Sequence, residues 1–160
     1  MRLIIRFLLL SIIATLLFAQ KIEVTADAVE ASGTKKEVKF SGNVHIWQDS
    51  HNWMKANEAI VFFDDANQTR LYEAKGNATF EIQNQKAHYK GSAHVFKHWP
   101  KESKYLMQGN AIVDDLANKR HLSGDTVSVD MKSGNASVKS QSNKPVKFIF
   151  QLDQKSGKSK

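Results

Sequence analysis

The chain has 160 residues, with 23 Lys and Arg against 16 Asp and Glu, so its formal net charge is +7. Hydrophobic residues make up 41% of the sequence and charged residues 24%, which argues for one folded domain and against a disordered chain. The absence of cysteine excludes disulfide frameworks, thiolate zinc sites and cysteine nucleophiles.

The beginning of the chain has the pattern of a secretory signal peptide. Two arginines precede an apolar run over residues 7–18, and Ala19 follows that run. We therefore predict a signal peptide over residues 1–19, cleaved after Ala19, and an exported protein. The apolar stretch over residues 3–19 leaves a retained membrane anchor as the alternative. For a basic exported protein we expect phosphate groups on a lipid or glycan as acidic partners, and no nucleic acid.

A Gly-Asn signature recurs along the chain, in the segments SGNVHI, KGNATFEI, QGNAIVDD and SGNASVKS. Its first three glycines, Gly42, Gly76 and Gly109, are separated by 34 and 33 residues. A second signature, in ANEAIVFF, KGSAHVFK and GDTVSVDM, begins at residues 56, 90 and 124, with steps of 34. Two interleaved signatures with one period indicate a structural repeat.

Apolar and polar residues alternate with a period of two after each signature, which is the period of a β-strand. No segment after the first 20 residues sustains a helical period. We therefore predict an all-β chain with two strands in each repeat. Gly and Asn both tolerate positive φ, so the Gly-Asn pairs are expected in turns or bulges.

Stacked repeats should place the alternating apolar residues in continuous stripes on one inward face. Many of these residues are small or β-branched, which leaves two interpretations open: an ordinary packed core, or a lightly filled interior with room for an apolar ligand. Alanines lie between the larger members of the predicted inward set. Twelve larger members are the candidate contacts for such a ligand: Ile22, Val24, Val44, Ile46, Val61, Phe63, Phe80, Ile82, Val95, Val113, Val127 and Val129.

The histidines do not form a recognisable metal-ligand pattern. There is no cysteine and no triplet of His and carboxylate residues close together in the sequence, so surface or packing roles beside Trp47, Trp53 and Trp99 are expected. We therefore predict no metal site and no cofactor. The six histidines are His45, His51, His88, His94, His98 and His121.

Two pairs of adjacent carboxylates, Asp64-Asp65 and Asp114-Asp115, follow apolar runs. Adjacent residues on a strand point to opposite faces, so neither pair forms an acid and base couple and turn roles are expected. The sequence has no nucleophile elbow and no phosphate-binding loop, so we expect no catalysis. The alternative from another class is a β-solenoid enzyme acting on an acidic polysaccharide, although solenoid coils are usually shorter than this repeat.

The ordered series TADAVEA, SGNV, ANEAIV, GNA, GDTVSVD and KPVKFIF behind a signal peptide resembles the lipopolysaccharide transport protein A family, also called OstA-like proteins. The similarity extends over residues 21–152. It implies a twisted, open β-jellyroll of stacked antiparallel strands over residues 20–152. The polar, basic composition of the last residues predicts a flexible tail over residues 153–160. Proteins of that family join head to tail as a periplasmic bridge between the two membranes.

The resemblance also implies a function. The chain would be a periplasmic carrier that binds lipopolysaccharide and shields the lipid A acyl chains in an apolar groove formed by the inward set, with Ile22, Val24, Phe80 and Val95 among the contacts. The implied partners are an inner-membrane LptC-like domain, an outer-membrane LptD-like domain and further copies of the chain, joined through edge strands near residues 22–24 and 146–150. A membrane-anchored LptC-like component is the alternative within the same pathway.

Overall fold

The computed structural model describes residues 21–141 and 143–152, so the predicted signal peptide over 1–19 and tail over 153–160 lie outside the described residues. In the described part of the chain there are ten β-strands, and no helix is long and apolar enough to cross a membrane. The strands are β1 (Glu23–Thr25), β2 (Ala28–Ser32), β3 (Glu37–Asp49), β4 (Asn52–Phe63), β5 (Thr69–Gln83), β6 (His88–Trp99), β7 (Lys104–Asp115), β8 (Arg120–Asp130), β9 (Asn135–Lys139) and β10 (Lys147–Phe150).

All ten strands belong to one antiparallel sheet that does not close on itself. Strands β3 to β8 follow one another in sequence order as consecutive hairpins. At one edge β1 and β2 both pair with β3, and at the other edge β9 and β10 both pair with β8. The predicted all-β, open antiparallel fold is confirmed, with two long strands in each repeat.

Three of the four Gly-Asn pairs form β-bulges in the middle of long strands. Gly76 has φ 78° and Asn77 has φ 50°, and the pairs at Gly42 and Gly109 have the same conformation. Each bulge adds one residue to its strand. On β5, Ala74 and Ala78 are four residues apart, whereas their partners on β6, Phe96 and Ala93, are three residues apart. The fourth glycine, Gly134, instead lies in the turn between β8 and β9.

The strands bend so that the two halves of the sheet face each other. Phe80 on β5 pairs with Gly91 on β6, and Phe96 lies five residues further along β6. Five residues of straight strand would place the two phenylalanines about 16 Å apart. Their ring centroids are 5.2 Å apart, so the two halves are in contact. We call the side with Ala74, Phe80 and Phe96 the inner face, and the opposite side the outer face.

The bulges also change which residues reach the inner face. Val95 pairs with Lys75 and Gln108, whereas its neighbour Phe96 pairs with Ala74. The prediction that Val95 points inward is therefore wrong, because the strict alternation does not continue across the bulged region. Ile22, predicted in the first strand, lies before β1 and is 59% exposed.

Candidate binding site on the inner face

An unbroken row of apolar residues crosses the inner face from one edge of the sheet to the other. Each member is the cross-strand partner of the next, so the side chains lie side by side on the same face. The row is Val24, Ile46, Met54, Phe80, Gly91, Val113, Leu122 and Phe148. A second row lies across the other half of the sheet and consists of Val29, Phe40, Ala59, Ala74, Phe96, Met107, Val127 and Val138.

Small residues near the bend allow these two rows to approach. Ala78 and Ala111 are fully buried, and Ala56 and Ala93 lie in the same apolar cluster. Phe80 lies directly over Gly91, where an added Cβ atom would be 2.6 Å from the phenyl Cζ. The middle of the inner face is therefore packed like an ordinary protein core.

The inner face opens into clefts beside the last strands. A cleft of about 530 Å³ lies between the β7–β8 turn and β10, where Phe148 and Phe150 stack with ring centroids 5.4 Å apart. Lys119 and Arg120 line the same cleft, so an aromatic surface lies next to two cations. A second cleft of about 310 Å³ lies along β7, β8 and β9 and includes Tyr105.

An aromatic stack lies on the inner face beyond the second apolar row. Tyr72, His98 and Tyr105 are cross-strand neighbours. The His98 ring lies 5.8 Å from the Tyr72 ring and 4.2 Å from the Tyr105 ring, centroid to centroid. Burial lowers the pKa of His98 and raises the pKa of Tyr105, so both side chains are neutral at pH 7. This part of the inner face is therefore uncharged.

Two buried carboxylates lie on the outer face of the same strand. Burial raises the pKa of Glu73, but ion pairs with Lys75 at 2.7 Å and Lys97 at 2.9 Å outweigh it and lower that pKa. For Glu81 the contacts with His88 and then His51 hold the pKa at about 2, against an ordinary value of 4.5. On β5 the ionic contacts therefore lie on the outer face and the apolar residues on the inner face.

By their cross-strand pairs, nine of the twelve candidate contact residues lie on the inner face. Sequence reasoning missed Phe96 and Met107, which are both 4% exposed. A spacing of three residues between buried apolar side chains, as between Ala93 and Phe96, occurs on every second strand and would have identified them. A period of two along the strand does not. The pairing shift between Phe62 and Phe63 leaves Phe63 without an assigned face. The residues placed as predicted are Val24, Val44, Ile46, Val61, Phe80, Ile82, Val113, Val127 and Val129.

Two of the four paired aspartates accept backbone hydrogen bonds in turns. Asp64 accepts hydrogen bonds from the backbone N–H groups of Ala66 and Gln68, and Asp115 accepts one from that of Asn118. The predicted turn roles are confirmed for these two residues. Asp114 instead lies on the outer face, with His121 Nδ1 2.6 Å from its carboxylate.

One group of side chains in the described residues could hold a metal ion. His51, Glu81 and His88 place one ligand atom each within 4.8 Å of one another. The sequence does not reveal this triplet, because the hairpin register brings together residues that are far apart along the chain. None of the inner-face residues belongs to it.

Two comparisons with known proteins match the chain. A family described as "LptA/(LptD N-terminal domain) LPS transport protein" matches residues 23–135. Among solved structures, the crystal structure of LptH, the LptA-homologous periplasmic component of the lipopolysaccharide transport device of Pseudomonas aeruginosa, superposes with a TM-score of 0.68. That match is 16% identical and covers 83% of this chain and 96% of the other. No curated protein matches the chain.

Proposed function

Because the chain belongs to the LptA/LptD N-terminal family of lipopolysaccharide transport proteins, we propose that it binds lipopolysaccharide and forms part of a periplasmic bridge. The family consists of non-enzymatic carriers, and this chain is one of them. In our proposal the lipid A acyl chains lie against the inner face while the glycan remains in solvent.

The continuous apolar surface of the inner face, which reaches both edges of the sheet, is the observation that supports this proposal. An acyl chain gains about 0.8 kcal/mol for each buried CH₂ group, so its passage through water requires an apolar surface along the whole route. A closed barrel would have to open for loading, whereas an open sheet admits acyl chains from the side. Lipid entry starts at the clefts beside β10 and spreads the two halves of the sheet.

The proposed lipid-contacting set differs from the predicted inward set in three ways. Val95 and Ile22 are removed, because Val95 lies on the outer face and Ile22 precedes β1. Phe96, Met107 and Phe148 are added, because they are members of the two apolar rows. Lys119 and Arg120 are placed to meet the phosphates of lipid A at the cleft mouth.

We further propose that copies of the chain join head to tail through their edge strands. Among the described residues β1 and β2 pair only with β3, and β9 and β10 only with β8, so each edge has backbone groups available for another strand. The terminal partners would be an inner-membrane LptC-like domain and an outer-membrane LptD-like domain. Sequencing the mature N-terminus distinguishes a cleaved periplasmic protein from the membrane-anchored alternative.

Photo-crosslinking from two neighbouring positions on β10 tests the lipid site. Phe148 and Ile149 are 51% and 48% exposed, and they point to opposite faces because they pair with Leu122 and His121. A crosslinking residue at position 148 should label lipopolysaccharide in cells, and the same residue at position 149 should label it at least about tenfold less. Equal labelling at both positions would contradict a lipid site on the inner face.

Binding of the purified protein to intact and deacylated lipopolysaccharide separates lipid recognition from charge attraction. Saturable binding that needs the acyl chains and resists salt supports the apolar site. Equal binding of both forms that disappears at high salt would reduce the interaction to the basic surface.

A further inference from the structure

The outer face has a group of metal-binding side chains that the transport function does not use. His51 lies in the turn between β3 and β4, Glu81 lies near the end of β5, and His88 begins β6. The His51 Nδ1 and the His88 Nε2 lie 3.0 Å and 2.8 Å from the same oxygen, Oε1 of Glu81. Three ligand atoms from three separate segments therefore converge on one point.

The second carboxylate oxygen of Glu81 is held by other groups. Trp53 Nε1 donates a hydrogen bond of 3.1 Å to Oε2, and the Lys90 ammonium lies 3.4 Å from the same atom. Metal-ligating carboxylates in proteins are oriented in this way by outer hydrogen-bond donors. Glu81 is 5% exposed, and the two contacts at Oε2 leave Oε1 directed at the two imidazoles.

The turn that presents His51 is also fixed in place. Asp49 accepts a hydrogen bond from the backbone N–H of His51, and the Asn52 side-chain oxygen accepts one from the backbone N–H of Gln83 on β5. The first contact shapes the turn, and the second ties it to the strand that bears Glu81. The ligand geometry is thus determined by the backbone as well as by side-chain rotamers.

From this arrangement we infer that His51, Glu81 and His88 bind a divalent first-row transition metal, for which Zn²⁺ is the best fit. Two imidazoles and one carboxylate are ligands that Zn²⁺ accepts at about 2.0 to 2.2 Å, with a water molecule in the fourth position. Tetrahedral ligands at those distances lie about 3.4 Å apart, so the Glu81 oxygen needs to move about half an ångström away from each histidine nitrogen. The exposed side chain of His51 allows that movement.

The ion would add metal-ligand bonds between three segments that hydrogen bonds, an ion pair and a ring contact already connect. It would hold the β3–β4 turn against β5 and β6, on the half of the sheet where β1 pairs with β3. The role that we assign to the ion is structural. It would stabilise this end of the sheet.

Calorimetric titration with Zn²⁺ tests the inference directly. The protein is expressed from the complete 160-residue sequence without a polyhistidine tag, freed of metal with a chelator, and titrated with Zn²⁺ alone. We expect one Zn²⁺ for each chain, and a rise in Tm of about 5 °C at saturating metal. His51→Ala and Glu81→Gln should each weaken binding at least about tenfold.

His121→Ala is the matched control. His121 lies on the same face and forms a pair with Asp114, but it lacks a third ligand. The inference is supported if this variant binds Zn²⁺ like the unchanged protein. It is overturned if Zn²⁺ does not bind, or if His51→Ala, which changes an exposed side chain and should leave the fold intact, binds with unchanged affinity.

Discussion

Strand β5 has buried residues on both faces, yet these residues have opposite chemistry. Ala74 and Phe80 on the inner face are 2% and 4% exposed, while Glu73 and Glu81 on the outer face are 7% and 5% exposed. The inner residues are covered by the opposite half of the sheet, and the outer residues by lysines and histidines on neighbouring strands. At these four positions of β5, burial alone does not distinguish the face that we propose to bind lipid, whereas the absence of charge does.

The largest expected effect on stability comes from truncating a large apolar side chain on the inner face. Phe96 contacts Phe80 at 5.2 Å and Tyr105 at 6.0 Å between ring centroids, so Phe96→Ala removes packing on both sides. We expect the free energy of unfolding to fall by about 3 to 5 kcal/mol, measured by urea denaturation. Val95→Ala, the adjacent change on the outer face, should cost less than about 1 kcal/mol. Similar losses for the two variants would mean that the faces are assigned incorrectly.

A smaller loss of stability is expected when a side chain strains the bulge between the two halves of the sheet. Gly76→Ala places a Cβ atom 2.5 Å from the Asn57 side chain at a φ of +78°. We expect a loss of about 2 to 3 kcal/mol in the free energy of unfolding. Gly134→Ala is the control, because φ is +73° there but nothing lies within 4 Å of the new atom, so the loss should be about 1 kcal/mol. Equal losses would show that steric contact at the bulge is unimportant.

The Glu81 carboxylate on the outer face should make stability dependent on pH in the acidic range. The pKa of Glu81 is about 2 in the folded protein against 4.5 ordinarily, so its ionised form stabilises the fold above pH 4.5. That contribution is lost as the pH falls towards 2. With chelator present, the Tm of Glu81→Gln should lie below that of the unchanged protein at pH 6, and the two should converge near pH 2. A constant difference over this range would exclude the carboxylate charge as the cause.

The smallest effect is expected for an exposed ion pair. Asp65 is fully exposed and pairs with Lys36 across two loops. Solvent screens such a pair, so Asp65→Asn should change the Tm by less than about 1 °C. A decrease in Tm larger than this would show that the ion pair stabilises the contact between the two loops although it is exposed to solvent.

Local chemistry explains why the strands and the repeat could be predicted from the sequence. Alternation and the Gly-Asn signatures act within a few residues, and they correctly indicated β3 to β8. Val95 was misplaced because the bulge at Gly76 changes the pairing of the neighbouring strand as well as its own. Gly134 has the same sequence signature but lies in a turn, because its strand ends there.

The metal-ligand triplet could not be predicted for a different reason. Its members meet only through the register of three consecutive strands, and that register depends on the number of bulged residues between them. A shift of one position in either hairpin would move Glu81 to the inner face. Such a site becomes visible only after the pairing of every residue is known.

The hairpin repeat makes the length of the sheet adjustable in discrete steps. Each additional pair of strands with its central bulge would extend the sheet by about 10 Å and continue both apolar rows without a change of register. An insertion of one residue within a strand would instead reverse the faces beyond it. The distance that one molecule spans can therefore be set by duplicating whole hairpins, without a change in the number of molecules that assemble.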